Sequence, residues 1–216
     1  ALETYTYSDF TEIENKVLSF ASAPATATIA LRHTPNSTAW YWFVDDIEVT
    51  VNTPECVATT WITGDSTGSS YYTPVNNYYN YTLTETIIEA AEIGGPMRID
   101  TISLHYMYSS PMTNKTDVTI WLQPTTKSSF SSTSDIDLLD SSIAVQIFSD
   151  SMNFSYGWND IVLPTPYVFD GTSNLMLIVD DNSYDYDGSS YKFSTTSCSD
   201  YKTIAWYSDG QNPDPV

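Results

Sequence analysis

The strongest constraint on the fold is a series of short segments in which apolar and polar residues alternate, each ended by a turn cluster or a proline. The clearest examples are residues 102–108, 118–122, 145–147, 160–163, 191–193 and 203–206. The segment 160–163 is expected to end at Pro164, because proline has no amide hydrogen for a sheet ladder. Leu175-Met-Leu-Ile-Val179 is apolar at every position, which predicts a central strand that is buried on both faces. Short strands at this spacing predict an antiparallel β-sandwich or jelly roll.

Helical signals are almost missing from the sequence. Only residues 85–93 have helical character, and Gly94-Gly95-Pro96 ends that segment. The chain has 17 tyrosines and 6 tryptophans but only 7 lysines and arginines. Because aromatic and β-branched residues suit a pleated sheet, the composition also predicts an all-β protein.

The N-terminal part divides from the rest at a polar, turn-rich stretch. Residues 25–33 and 39–51 are predicted strands, and Asn52-Thr-Pro-Glu55 then breaks the pattern before Gly64. We therefore predict a partial domain at 1–53, a linker at 54–65 and a β-sandwich module at 66–216.

The charge excludes several classes of partner. Asp and Glu number 27, which gives a formal net charge of −20, so nucleic acid and anionic membranes would repel the chain. No apolar stretch approaches the roughly 20 residues that a membrane-spanning helix needs. A surface rich in Ser, Thr, Tyr and Asn but poor in Lys favours a secreted or cell-surface protein over a strand-rich protein of another compartment.

Two segments near the N-terminus carry a resemblance to a known family. Ile29-Ala-Leu-Arg-His33, a polar turn, and Trp42-Phe-Val-Asp-Asp-Ile-Glu-Val49 resemble the C-terminal end of a cleaved-adhesin domain. These are the jelly-roll modules in the haemagglutinin regions of gingipain-type proteases. Only about the last 50 residues of such a domain are present, so its strands lack partners. The chain is expected to be a fragment, with packing on the second module or strand donation to a neighbouring chain as the alternatives.

The remaining chain resembles a module that follows such adhesin domains in secreted proteins of Gram-negative anaerobes. The matching segments are Tyr71-Tyr-Thr-Pro74, Tyr78-Tyr-Asn-Tyr81, Ala91-Glu-Ile-Gly-Gly95, Thr119-Ile-Trp-Leu122, Lys127-Ser-Ser-Phe130, Gly157-Trp-Asn-Asp-Ile161, Phe169-Asp-Gly-Thr-Ser-Asn-Leu175 and Tyr207-Ser-Asp-Gly-Gln-Asn-Pro-Asp-Pro215. The resemblance implies a non-catalytic module that attaches to a glycan or a host protein, or a spacer in a larger protein. The alternatives are a structural subunit of an extracellular filament and an accessory domain of a secreted protease or glycan-degrading enzyme.

Calcium is the metal that the acidic residues suggest. Asp45 and Asp46 lie in a strand that resembles a calcium-binding strand of carbohydrate-binding jelly rolls. The run from Asp180 to Gly188 contains the carboxylates of Asp180, Asp181, Asp185 and Asp187, and calcium takes 6–8 oxygen ligands. The alternatives are a capped sheet edge at the first site and ordinary turn chemistry in the acidic loop.

A cluster of aromatic residues is the candidate ligand-binding surface. The tyrosines of this cluster are Tyr71, Tyr72, Tyr78, Tyr79 and Tyr81. Trp121 alternates with Ile120 and Leu122, so its side chain is expected to face away from their core and to be exposed. Tyrosine and tryptophan offer an apolar face and a polar tip, which suits binding to a sugar or a protein, although these rings could instead cover sheet faces.

The remaining predicted sites concern covalent modification. Cys56 and Cys198 could form one disulfide in an oxidising compartment or remain separate thiols. Sequons for N-glycosylation occur at Asn36, Asn80, Asn114 and Asn153. Ser151 and Thr101 fit a short Asp-Ser/Thr-apolar pattern of O-glycosylation.

Catalysis has little support in the sequence. The two histidines, His33 and His105, lie on predicted strands, and neither a zinc-protease HExxH pair nor a nucleophile elbow is present. We therefore expect a protein without enzymatic activity.

Overall fold

The computed structural model describes residues 60–215, except residues 138, 187, 189, 190 and 214. Several sequence-based predictions lie outside the described residues: the strands 25–33 and 39–51, the partial domain 1–53, and the sites at Asn36, Asp45, Asp46, Cys56 and Asp187. The division of the chain into domains therefore stays a prediction.

The described residues form nine strands and one short helix. In chain order these are β1 (Gly68–Ser70), β2 (Tyr81–Ile88), α1 (Ala90–Ile93), β3 (Met97–Tyr106), β4 (Met112–Thr125), β5 (Val145–Phe154), β6 (Gly157–Phe169), β7 (Asn174–Asp181), β8 (Phe193–Thr195) and β9 (Thr203–Ser208).

Two antiparallel sheets build the fold. One has four strands in the order β1-β8-β3-β6, and the other has five in the order β5-β4-β7-β2-β9. Side chains from both sheets meet in one apolar core, to which Tyr106, Phe169 and Phe193 contribute from the first sheet and Ile120 and Val179 from the second. The predicted all-β sandwich is confirmed for this part of the chain.

The five-stranded sheet is covered on its outer face as well. A second apolar cluster there contains Leu83, Met176 and Ile178. It is covered by the segment between β4 and β5, which we call the cover loop (residues 126–144). The cover loop explains why β7 is apolar at every position. Alternate residues of β7 point to the core between the sheets and to the second cluster under the cover loop. The predicted central strand is confirmed, since β7 is the third of five strands.

Hydrogen bonds attach the cover loop to the sheet below it and to Tyr201, which lies just before β9. The amide of Asp137 donates to Glu85 Oε2 at 3.0 Å, and the amide of Asp140 donates to Gln123 Oε1 at 2.8 Å. The amide of Phe130 donates to the carbonyl of Tyr201 at 2.8 Å. Glu85 and Gln123 are buried, so polar side chains of the sheet satisfy backbone donors of the loop.

Two local features differ from the sequence-based expectations. Of the segment 85–93, only Ala90–Ile93 is helical, and residues 85–88 belong to strand β2. In β2, Thr82 and Thr84 lie on one face and Leu83 and Glu85 on the other. Glu85 is buried, and a charged residue at a buried position makes the strand hard to recognise from the sequence. The predicted end of a strand at Pro164 is wrong, because β6 continues to Phe169. β6 is an edge strand whose ladder to β3 is interrupted around Pro164, and such positions tolerate proline.

Candidate functional site

The segment that carries most of the tyrosines is fixed by buried asparagines. Asn76 and Asn77 are buried between β1 and β2. The side-chain oxygen of Asn76 accepts a hydrogen bond from the amide of Tyr78 at 3.0 Å, and its carbonyl accepts from the amide of Tyr79 at 3.3 Å. Asparagine often stabilises turns by such bonds to its own backbone. Here the turn that Asn76 stabilises leaves the neighbouring tyrosine rings at the surface.

Five tyrosine rings form a continuous aromatic surface, which we call the tyrosine patch: Tyr71, Tyr72, Tyr78, Tyr79 and Tyr207. The ring centroids of Tyr71 lie 5.8 Å from Tyr78 and 4.2 Å from Tyr72. Those of Tyr207 lie 5.7 Å from Tyr72 and 4.4 Å from Tyr79. Centroid distances of this size are those of favourable aromatic pairs, so the rings support one another's positions.

Four rings of the patch, those of Tyr71, Tyr72, Tyr78 and Tyr79, line an open concavity of about 460 Å³ together with Asp209. Tyr72 is 39% exposed, Tyr78 36% and Tyr207 38%, so each presents part of its ring to solvent. Asp209 Oδ1 accepts from the amide of Asn80 at 3.3 Å, and the Asp209 carbonyl accepts from Asn80 Nδ2 at 3.1 Å. These bonds connect the end of β9 to the tyrosine segment and place one carboxylate at the rim of the concavity.

The hydroxyl group of Tyr72 remains protonated over the physiological pH range. The hydroxyls of Tyr71 and Tyr72 lie 2.8 Å apart and share a hydrogen bond. This bond, with partial burial and the neighbouring phenols, raises the pKa of Tyr72 to about 12. The Tyr72 phenol can therefore both donate and accept a hydrogen bond.

Four of the five tyrosines that the sequence predicted lie in this surface. Tyr81 lies in β2 and its ring contacts Tyr184, with centroids 5.6 Å apart; it does not line the concavity. Sequence inspection missed Tyr207 and Asp209, which β9 and the residues after it bring to the segment. The antiparallel pairing of β2 with β9 is the cause, and nothing in the local sequence signals it.

Trp121 faces away from Ile120 and Leu122, as alternation predicted. Its ring packs against the second apolar cluster under the cover loop and is half-buried. The expected exposure of Trp121 is therefore wrong, because the outer face of this sheet is covered.

The acidic loop after β7 contains a buried ion pair. Lys115 Nζ lies 2.8 Å from Asp181 Oδ2, and both side chains are completely buried. Asp181 also accepts hydrogen bonds from the Thr82 hydroxyl at 3.3 Å and from the amide and hydroxyl of Ser183 at 3.1 and 2.5 Å. Lys115 Nζ donates in addition to the carbonyl of Asp185 at 3.0 Å. Lys115 thus supplies the positive charge beside Asp181 and holds the loop in place through the Asp185 carbonyl.

The carboxylates of Asp180 and Asp181 both have partners within the protein. Asp180 precedes Asp181 in β7, so its side chain points to the opposite face of the strand, where its Oδ2 accepts from Asn182 Nδ2 at 2.8 Å. Within residues 60–215, as far as the structure describes them, no group of three His, Cys, Asp or Glu side chains has the arrangement of a metal site. Because Asp187 lies outside the described residues, calcium in this loop stays a prediction.

The predicted glycosylation sites differ in accessibility. Asn153, Ser151 and Thr101 are exposed on strands. Both polar atoms of the Asn114 amide are buried, and Asn80 Nδ2 is hydrogen-bonded to Asp209. In the folded protein, Asn153 is therefore a better acceptor for a glycan than Asn114 or Asn80.

Two further reactive side chains, His105 and Cys198, make contacts within the module. His105 Nδ1 lies 2.5 Å from the Ser194 hydroxyl, and its ring contacts Trp158. Cys198 is exposed and donates to the carbonyl of Thr196 at 3.5 Å, while its predicted partner Cys56 lies outside the described residues. The disulfide stays a prediction, as does the expected lack of enzymatic activity.

Comparisons of the chain with protein-family models, curated proteins and solved structures find no match. In the part of the chain that the structure describes, no helix has the length and apolarity needed to span a membrane.

Proposed function

We propose that this chain is a non-catalytic β-sandwich module of a secreted or cell-surface protein and that it attaches its parent protein to a glycan through the tyrosine patch. The observation that carries the proposal is the continuous run of five tyrosine rings, four of which line an open concavity together with Asp209.

The chemistry of the patch suits a saccharide. A pyranose ring has an apolar face of C–H groups, which packs on an aromatic ring, and a rim of hydroxyl groups, which needs donors and acceptors. Tyrosine supplies both kinds of contact from one side chain, and the Asp209 carboxylate adds an acceptor. An open surface with several rings in sequence fits a chain of sugars better than a single small molecule.

The patch is also preorganised. Its rings contact one another, the buried Asn76 fixes the segment below them, and the β2–β9 ladder holds Tyr207 in place. Binding therefore requires little additional ordering of side chains, which reduces its entropic cost.

The proposed location rests on the sequence. The scarcity of lysine, the abundance of Ser, Thr and Tyr, and the resemblance to adhesin-associated modules all favour an extracellular protein. The resemblance also supports attachment as the role, with a host protein as the alternative ligand. A role in filament assembly depends on strands in residues 1–53, which are outside the described residues.

A binding experiment with the full chain tests the proposal. The chain is applied to immobilised cello-, xylo-, laminari- and chito-oligosaccharides and to N-glycans, and dissociation constants are measured by calorimetry. We expect binding to at least one class, and Tyr72→Ala and Tyr207→Ala each to weaken it about tenfold, which corresponds to about 1.4 kcal/mol.

Two control variants sharpen the result. Tyr72→Phe keeps the ring and removes the hydroxyl, so it should retain most of the affinity. Tyr156→Ala removes a ring that is 72% exposed outside the patch and should bind as the wild type does. The proposal is wrong if no saccharide binds, or if the two patch variants bind normally while folded.

A further inference from the structure

The charge around the tyrosine patch has one sign. Asp209 is the only charged residue among those that line the concavity. It is exposed, and among the described residues only one of its carboxylate oxygens accepts a hydrogen bond. Of the described side chains, a ligand at the concavity therefore meets a carboxylate and no lysine or arginine.

Most positive side chains in the described part of the chain are already paired. Of the five lysines and arginines in the described part of the chain, four form ion pairs with carboxylates. These pairs are Arg98–Asp100, Lys115–Asp181, Lys127–Asp135/Asp137 and Lys202–Glu89. Lys192 alone is outside such a pair. With a formal net charge of −20, the protein repels anions and concentrates cations near its surface.

The aromatic rings add to this preference. The face of a tyrosine ring carries the negative part of the ring quadrupole and attracts a positive group. An ammonium beside Asp209 would thus be attracted by the carboxylate, by the neighbouring ring faces and by the charge of the chain. A carboxylated or sulfated sugar would be repelled by the same groups.

We infer that the ligand of the tyrosine patch is a cationic glycan, a saccharide chain with unacetylated amino groups, whose rings pack on the tyrosines while an ammonium contacts Asp209. This inference rests on the proposed glycan-binding function and specifies the substrate class of the same site. The open run of five rings favours an extended chain of amino sugars over a single lysine side chain, for which a closed aromatic cage would be expected.

The experiment compares matched ligands at mildly acidic pH, where the sugar amines are protonated. The full chain is titrated with the hexamers of glucosamine and of N-acetylglucosamine, with a galacturonate oligomer and with an oligolysine peptide. We expect the glucosamine hexamer to bind at least tenfold more tightly than the acetylated hexamer at about 20 mM salt. At about 300 mM salt, where exposed charges are screened, this preference should shrink severalfold.

A charge-removing variant locates the effect. Asp209→Asn keeps the size of the side chain and should reduce the preference for glucosamine to about threefold or less, while binding of the acetylated hexamer changes little. Asp160→Asn is the matched control, because Asp160 is exposed on β6, at the opposite edge of the four-stranded sheet from β1. It should leave the preference unchanged.

Each remaining outcome separates the two proposals. Equal binding of both hexamers, or tighter binding of the acetylated or anionic oligomer, overturns the cationic ligand but leaves glycan binding intact. Binding of oligolysine without any sugar overturns both and identifies a basic peptide as the ligand. If Asp209→Asn is unstable, the salt dependence of the wild type still decides the inference.

Discussion

Two polar regions of this protein have the composition of a binding site. The tyrosine segment precedes the buried strand β2, and the acidic loop comes at the end of the buried strand β7. In the acidic loop, the charged Asp181 is buried and bound by Lys115, Thr82 and Ser183. In the tyrosine segment, neutral Asn76 and Asn77 are buried and the rings remain at the surface. The first region uses its polar groups to fold the chain, and the second leaves its aromatic rings partly exposed to solvent.

The difference comes from partners that are distant in sequence. Lys115 reaches the acidic loop from β4, and Tyr207 and Asp209 reach the tyrosine segment from the end of the module. A composition that suggests a ligand can thus be satisfied from within the protein, and only the tertiary contacts distinguish the two cases.

The largest expected change in stability comes from breaking the buried ion pair between Lys115 and Asp181. Lys115→Met leaves the Asp181 carboxylate buried without a cation, which should lower the free energy of unfolding by about 3–5 kcal/mol. For a domain of this size, that corresponds to a fall in Tm of roughly 10 °C. Urea unfolding and a thermal melt measure the change.

The controls for this variant separate charge from side-chain loss. Lys192→Met removes an exposed lysine and should change stability by less than about 0.5 kcal/mol. The double variant Lys115→Met/Asp181→Leu removes both charges and should recover part of the loss. An unchanged Tm for Lys115→Met would contradict the structural role of this pair.

Glu85 shows what a buried carboxylate does without its own lysine. It is 1% exposed and Oε1 has no hydrogen-bond partner within the described residues. Burial, opposed by the Asp137 amide and by Lys127 but reinforced by the charges of Asp137 and Asp135, raises the pKa of Glu85 from 4.5 to about 7. The folded state therefore holds its proton more tightly than the unfolded state does.

The consequence is a loss of stability with rising pH. The Glu85 contribution is fully present below pH 4.5 and is lost as pH rises through about 7, with a total of about 2–3 kcal/mol. The pKa values of Asp135 and Asp170 are lowered to about 2, so they act only in more acidic solution. Urea unfolding between pH 4 and 8 should show this decline in the wild type and a flatter profile in Glu85→Gln. Parallel profiles would contradict the assignment.

The tyrosine patch should contribute much less to folding than the acidic loop. Tyr72→Ala and Tyr207→Ala remove partly exposed rings, so we expect each to lower the free energy of unfolding by about 1 kcal/mol or less. Both variants should nevertheless lose ligand affinity. A loss of several kcal/mol in urea unfolding would show instead that these rings are structural.

The smallest expected effect is that of calcium removal on the described loop. Because Lys115 already binds Asp181, EDTA should shift Tm by no more than about 2 °C, and added calcium should do the same. A large loss that calcium reverses would establish a metal, and Asp→Asn changes at Asp185 and Asp187, then at Asp45 and Asp46, would locate it.

Much of the fold could be predicted from the sequence because alternation and turn residues are local signals. Strands β3 and β4 show the alternation of apolar and polar residues. Strand β7 was recognised by its continuous apolar run. Strand β2 was hidden by Glu85, whose buried position depends on the cover loop, and β6 continues through Pro164 because it lies at a sheet edge. Both misjudgements concern residues whose environment is set by another segment.

The candidate site was predictable only in part for the same reason. Tyr71, Tyr72, Tyr78 and Tyr79 are neighbours in sequence, so their density was visible. The pairing that adds Tyr207, the cover that buries half of Trp121, and the lysine that binds Asp181 all depend on long-range contacts. Local composition indicates where polar and aromatic groups are concentrated, but not which of them remain available to a ligand.

The prolines of β6 have a consequence for contacts between copies of this module. Pro164 and Pro166 lie in an edge strand of the four-stranded sheet, where they offer no amide hydrogens to a strand from a neighbouring molecule. Such interruptions are a known protection against edge-to-edge aggregation. Even with Val162 and Val168 largely exposed beside them, this edge is therefore a poor template for a strand from another copy, and the module is protected from aggregation at high concentration.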